Sequence, residues 1–208
     1  MNFCINCGHK DISQDVINSP MADVSYKERL IKMDALNVII AGISFFDTDV
    51  RNIYDKIKSE DKTINIIFVN SKLVYGFDHL LGILKIINEE EKRKIKSNIK
   101  SVEIEFLLRI CYTNQIKDAL KSNFGDNKNK TFVVVLISEL GTKLSNTFDA
   151  LMSYGIEDSH LIHADTTKKD YIFNHFFKDK FKVNSYLLLN NEEKYLKFLI
   201  EKAAISLN

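Results

Sequence analysis

The residue types best suited to chemistry stand at the start of the chain. Cys4-Ile5-Asn6-Cys7-Gly8-His9 spaces two thiols by two residues and follows them with a glycine and an imidazole. Two thiolates at that spacing can hold one side of a tetrahedral zinc ion, but a structural zinc site takes four ligands. His9 offers a third, while Cys111 lies far off in an apolar run and no second ligand pair follows at ribbon spacing. The motif therefore reads either as two cysteines on an extension or as half of a zinc site that a partner completes. A thioredoxin-like redox use would need a strand leading into a helix here, and none precedes the pair.

Three further histidines invite a chemical reading. His79 lies in a segment rich in Leu and Ile, where an imidazole is expected to be packed and hydrogen-bonded rather than catalytic. Asp78 beside it points about 100° away on a helix. His160 and His163, with Asp165 nearby, match no metalloenzyme signature and read as surface residues. Gly76 and Gly82 are isolated, Gly141-Thr142-Lys143 reverses the order of a phosphate loop, and no serine sits in a nucleophile elbow. The expectation is a protein with no catalytic residue, no cofactor and no resident metal. An enzyme built on His79 or on the His160/His163 pair is the competing reading.

The elements that must position any site follow from periodicity. Residues 1–34 hold the only proline, Pro20, and little periodicity, and read as an N-terminal extension to a domain over 35–208. Val38 to Ile43 and Ile64 to Val69 are β-rich runs. Thr131 to Ser138 is the clearest strand, and its unbroken apolar character predicts burial on both faces. Asp47-Thr48-Asp49 precedes a helix through Val50, Ile53, Tyr54 and Ile57. Leu73 to Ile87 and Val102 to Tyr112 are helical. Thr113 or Asn114 is placed to cap a helix whose inner face carries Ile116, Leu120 and Phe124. Leu144 to Tyr154 reads as a helix ended by Gly155. A short amphipathic segment spans Tyr171 to Phe177. Asn190, with Glu193 as a capping box, starts a last helix striped by Tyr195, Phe198, Leu199, Ala203 and Leu207. The expected fold class is α/β (α+β), a single domain with a small mixed sheet packed by several helices.

Composition limits the partners. Twenty-nine basic and 28 acidic side chains leave a net charge of +1, so a nucleic acid would need a local patch. Lys92-Arg93-Lys94, with Lys96 and Lys100, directly follows Glu89-Glu90-Glu91, and the two blocks can pair along one helix. Lys117 and Lys121, near a helix start, are better placed for a phosphate, where free N–H groups add to their charge. Three cysteines do not make a disulfide framework and suit a reducing, cytoplasmic setting. No run approaches about 18 consecutive apolar residues, so no membrane span is expected, and the N-terminus lacks the pattern of a secretory signal.

Several short pieces then combine. Ile66-Ile67-Phe68-Val69-Asn70, Gly76-Phe77-Asp78-His79-Leu80, Asn98-Ile99-Lys100, Glu105-Phe106-Leu107-Leu108, Asn114-Gln115-Ile116 and Glu201-Lys202-Ala203-Ala204 occur in this order. In order and spacing the chain from about Asn37 onward resembles the kinase-binding subunit of KEOPS, the TPRKB-like, CGI-type family. Asp78 stands where that family commonly has Glu, and Asn114 where it has Arg. The resemblance implies a non-catalytic accessory subunit of the complex that installs threonylcarbamoyl on adenosine in tRNA. It implies two partners, the PRPK-type atypical kinase subunit and the tRNA 3′ end. The residues expected at the RNA are Asn114, Gln115, Lys117 and Lys121, with Asn114 read equally as a helix cap. Those expected at the kinase are Leu199, Lys202, Ile205 and Leu207 on the last helix, with Ala203 among them. The alternative function is a zinc-bearing regulatory or nucleic-acid-binding protein using the N-terminal cysteine pair.

Overall fold

A computed structural model describes residues 30–47, 49–94, 99–125, 129–178 and 190–207. Among them are five strands: β1 (Ile31–Met33), β2 (Leu36–Phe45), β3 (Asn65–Asn70), β4 (Thr131–Ser138) and β5 (Gly155–Glu157). Seven α-helices accompany them: α1 (Val50–Glu60), α2 (Phe77–Lys92), α3 (Val102–Ile110), α4 (Ile116–Phe124), α5 (Gly141–Met152), α6 (Thr166–Phe176) and α7 (Glu192–Ile205). The cysteine pair, Lys96 and Asn98 lie outside the described residues, as does most of the stretch read as an extension. β1 falls inside that stretch and is paired with β2.

The sheet runs β1-β2-β4-β3, with β5 pairing the far end of β2. Every pairing is antiparallel, which corrects the expectation of a mixed sheet. The physical reason is insertion. β2 and β3 both run antiparallel to β4, hence parallel to each other, but β4 lies between them and takes the hydrogen bonds of both.

Helices cover both faces, so the strands are apolar on both sides. Val38, Ile40, Ile67, Val69, Val133, Val135 and Ile137 pack against α2, α3, α6 and α7. Ile39, Ala41, Ile43, Ile66, Phe68, Phe132, Val134 and Leu136 pack against α1 and α5. The unbroken apolar run of β4 is buried from Phe132 to Ser138, as its sequence predicts.

Local signals explain most boundaries. The Asp49 side chain accepts N–H bonds from Arg51 and Asn52 and starts α1. Ser101 accepts from the Ile104 N–H and starts α3. Several expected boundaries move. The helix read from Leu73 begins at Phe77, and Leu73 ends a separate short turn, Ser71–Leu73. α5 ends at Met152, and Gly155 instead opens β5, where a side chain would collide with the Ser44 carbonyl and with Ile43. α7 is capped by Asn191 rather than Asn190; its side chain accepts the Lys194 N–H at 2.9 Å, so Glu193 is not part of a capping box.

Candidate functional site

The start of α4 is set by the way α3 stops. Tyr112 adopts a left-handed backbone, φ 49°, that glycine would occupy more easily. The Thr113 N–H reaches back to the Leu108 carbonyl and the Tyr112 N–H to that of Arg109, which closes the helix end. The Tyr112 side chain holds this turn. Its hydroxyl lies 2.9 Å from Nε2 of His79, and its ring packs on Phe176 and Phe177. His79 accepts the Tyr75 N–H at Nδ1, which leaves Nε2 to carry the proton. Both rings are buried; burial pushes the His79 imidazole down to about 3 and Tyr112 well up, so the pair stays neutral. His79 is a packed, hydrogen-bonded residue, as its surroundings in the sequence predict.

This turn delivers Asn114, Gln115, Lys117 and Lys121 to the surface, all exposed. Neither Thr113 nor Asn114 is the N-cap; Gln115 occupies that position. Thr113 Oγ1 accepts the Gln115 N–H, and the Gln115 amide donates to Asn114 Oδ1 at 3.3 Å. Lys117 and Lys121 stand four residues apart on one helix face. The inner face of α4 is Ala119 and Asn123, not Ile116 and Leu120, which are 50% and 39% exposed. Asn123 turns inward because the edge of β3 needs it: it accepts the Asn70 N–H at 2.8 Å and donates to the Phe68 carbonyl at 2.7 Å. An asparagine reads as a surface residue, so nothing in the sequence signals this role.

Beside the start of α4 lies a cleft of about 260 Å³, lined by Tyr112, Thr113, Asp118, Ser122, His175 and Phe176 among others. His175 approaches Ser122 at 3.3 Å and stacks on Tyr171 with ring centroids 5.5 Å apart. This pair of flat rings belongs to α6, distant in sequence, and was not anticipated.

The far end of α7 is fixed by a buried arginine that the sequence reading also missed. Arg109 is 1% exposed. Its guanidinium donates to Glu105 at 2.7 and 3.0 Å, to Glu90 at 2.6 Å and to the carbonyls of Ala203 and Ala204 at 3.1 and 3.4 Å. One cation thus ties α2, α3 and the last turn of α7. The expected kinase-facing residues divide accordingly. Leu199 and Ala203 are wholly buried and offer no area to a partner. Lys202 and Leu207 are half-buried, with the Lys202 ammonium 5.6 Å from the Phe198 ring centre. Ile205 is 57% exposed.

The remaining charged candidates have plain roles. Lys92 pairs with Asp34 and Glu89, and Arg93 with Glu89. His160 and His163 are exposed, with ring centroids 5.8 Å apart. Among the described residues no three metal-ligating side chains converge, and no helix is long and apolar enough to cross a membrane.

A sequence profile described as kinase binding protein CGI-121 matches residues 48–206. The chain belongs to the CGI-121 family. The match runs from the start of α1 to the end of α7, so both the α4 start and the α7 end lie within it. No curated protein matches the chain. The CGI-121 family is described by kinase binding, which fits an accessory subunit rather than a catalyst.

Proposed function

We propose that this chain is a cytoplasmic, non-catalytic accessory subunit of KEOPS that binds the PRPK-type kinase subunit and the tRNA 3′ end. The observation that carries the reading is family membership across residues 48–206, a span that contains both proposed surfaces. The kinase contact is assigned to the end of α7, where Ile205 leaves apolar area outside the core and Lys202 and Leu207 flank it. Such a small apolar centre with a charged neighbour suits a protein interface. Arg109 and Leu199 hold that helix end in place rather than touching the partner.

The RNA contact is assigned to Asn114, Gln115, Lys117 and Lys121. A single-stranded tail is held by cations along its phosphates and by stacking and base-edge hydrogen bonds. The lysines supply charge, the paired amides of Asn114 and Gln115 supply base-edge donors and acceptors, and the Tyr171–His175 pair supplies a stacking surface nearby. Asparagine at 114 offers no cation, so phosphate attraction rests on the lysines.

Binding of tRNA with and without its 3′ tail tests the RNA part. Intact tRNA is expected to bind more tightly, with an affinity that falls as salt rises. Equal binding of the truncated tRNA would refute end recognition. Co-purification with a small kinase from native extract tests the other part.

A further inference from the structure

His160 and His163 stand on one side of a short 3₁₀ turn, Ser159–Ile162. Side chains three residues apart eclipse on such a turn. The His163 N–H closes it on the His160 carbonyl at 3.2 Å. The Lys168 ammonium pins the turn from α6, donating to the carbonyls of His160, Leu161 and His163 at 3.3, 2.8 and 2.8 Å. The two rings are thus exposed on a fixed backbone, with centroids 5.8 Å apart. Two imidazoles on one tetrahedral zinc ion, each nitrogen about 2.0–2.1 Å from the metal, place their ring centres roughly 5 Å apart. A small side-chain rotation closes the difference. Among the described residues neither imidazole has a hydrogen-bond partner, so both can turn.

Two histidines fill half a tetrahedral site. The aspartates next to them in sequence are engaged: Asp158 accepts the His160 N–H at 3.1 Å and Asp165 the Lys168 N–H at 2.8 Å. A zinc ion held by the imidazoles alone would also keep its double charge beside the Lys168 ammonium. Two thiolates remove both objections, since they complete four ligands and leave the centre neutral. Cys4 and Cys7 are such a pair, spaced by two residues with Gly8 after them. They can reach the turn. β4 occupies one side of β2, so β1 and β5 share the other. Ile31 lies opposite Val38 there, and Asp158 donates its N–H to the Gly42 carbonyl at 2.8 Å. From Val38 to Gly42 along β2 is roughly 13 Å, at about 3.4 Å per residue. Residues 8–29 join Cys7 to Leu30. A random coil of that length spans about 25 Å, so the thiols arrive without strain.

We infer that Cys4, Cys7, His160 and His163 hold one zinc ion, the two thiols giving up their protons as they bind. The second ligand pair, absent at ribbon spacing from the cysteines, comes from the other half of the chain. Its two-residue gap is shorter than the three to five residues of helical zinc fingers because the histidines ride on a 3₁₀ turn. The ion staples the N-terminal segment to the β1/β5 edge of the sheet. It serves structure and not catalysis: protein fills all four positions, so none is open to water or substrate. The site stands apart from the residues proposed for the kinase and the RNA, and neither reading depends on it.

Cobalt(II) and zinc titrations of the reduced full chain test the site. The native chain is expected to take up one ion, with the strong visible absorption of four-coordinate cobalt and a thiolate-to-cobalt band in the near ultraviolet. Its mass by light scattering is expected to match that of the metal-free chain. His160→Ala with His163→Ala, both at exposed positions, is expected to leave the circular dichroism unchanged and to weaken zinc by roughly a hundredfold or more in competition with a chelating dye. Cys4→Ser with Cys7→Ser removes the near-ultraviolet band, while His9→Ala leaves the affinity unchanged. Absence of a four-coordinate cobalt spectrum, or a double-histidine variant that binds zinc as tightly as the native chain, would overturn the assignment. So would a loss of affinity that follows His9 instead, or a doubled mass on adding zinc, which would mean that a second copy completes the site.

Discussion

His79 links stability to pH through a single proton. Its imidazole is held at about 3 by burial, against an ordinary value of about 6.5. The folded state therefore refuses a proton that the unfolded state accepts below pH 6.5. Stability from this group is fully present above that pH and is lost as pH falls toward 3, by about 2 kcal/mol between pH 7 and pH 5. Urea melts at those two pH values are expected to show this loss in the native chain and less of it in His79→Gln, where no proton can be taken up. An identical pH dependence in both would contradict the assignment. The structural role of His79 was readable from its Leu- and Ile-rich neighbours. Its partner was not, because Tyr112 is 33 residues away and its left-handed backbone has no signature in a tyrosine. At the α4 surface, Lys117→Ala with Lys121→Ala is expected to weaken tRNA binding and flatten its dependence on log salt by roughly two, about one for each phosphate no longer neutralised. Filter binding across a salt series measures it.

Helices were legible where a polar cap preceded an apolar stripe, as at Asp49. They were misread where one residue type served an unexpected partner. Asn123 is buried to satisfy β3, so the apolar residues of α4 that a periodicity count places inside, Ile116 and Leu120, stay at the surface. Gly155 looks like a helix stop but serves the close approach of β5 to β2. Arg109 is the other such case, a charge inside the helical layer whose five hydrogen bonds join three helices. Removing it strands Glu105 and two α7 carbonyls away from water. Arg109→Ala is expected to cost about 3–5 kcal/mol in denaturant melts. Lysine, lacking the planar fork, is expected to restore little of it. Hydrogen exchange should locate the loosening at the end of α7. A cost below about 1 kcal/mol would show that the helix end is held by packing alone.

At the scale of the molecule, an α/β chain was readable from its composition and alternating elements, and the burial of β4 from its unbroken apolar run. The order of the strands was not, because β2 and β3 point the same way and only the placement of β4 between them makes the sheet antiparallel. The result is a sheet sealed on both faces, with the start of α4 and the end of α7 at the surface. The function proposed for this chain rests on docking, in keeping with the kinase-binding description of its family. Ile205→Asp changes an exposed residue and is expected to leave the melting temperature unchanged. Calorimetric titration of the purified chain into the PRPK-type kinase subunit is the most direct measurement. The expected result is a one-to-one complex that Ile205→Asp weakens at least tenfold; no heat of association at micromolar concentrations of the native pair would contradict it.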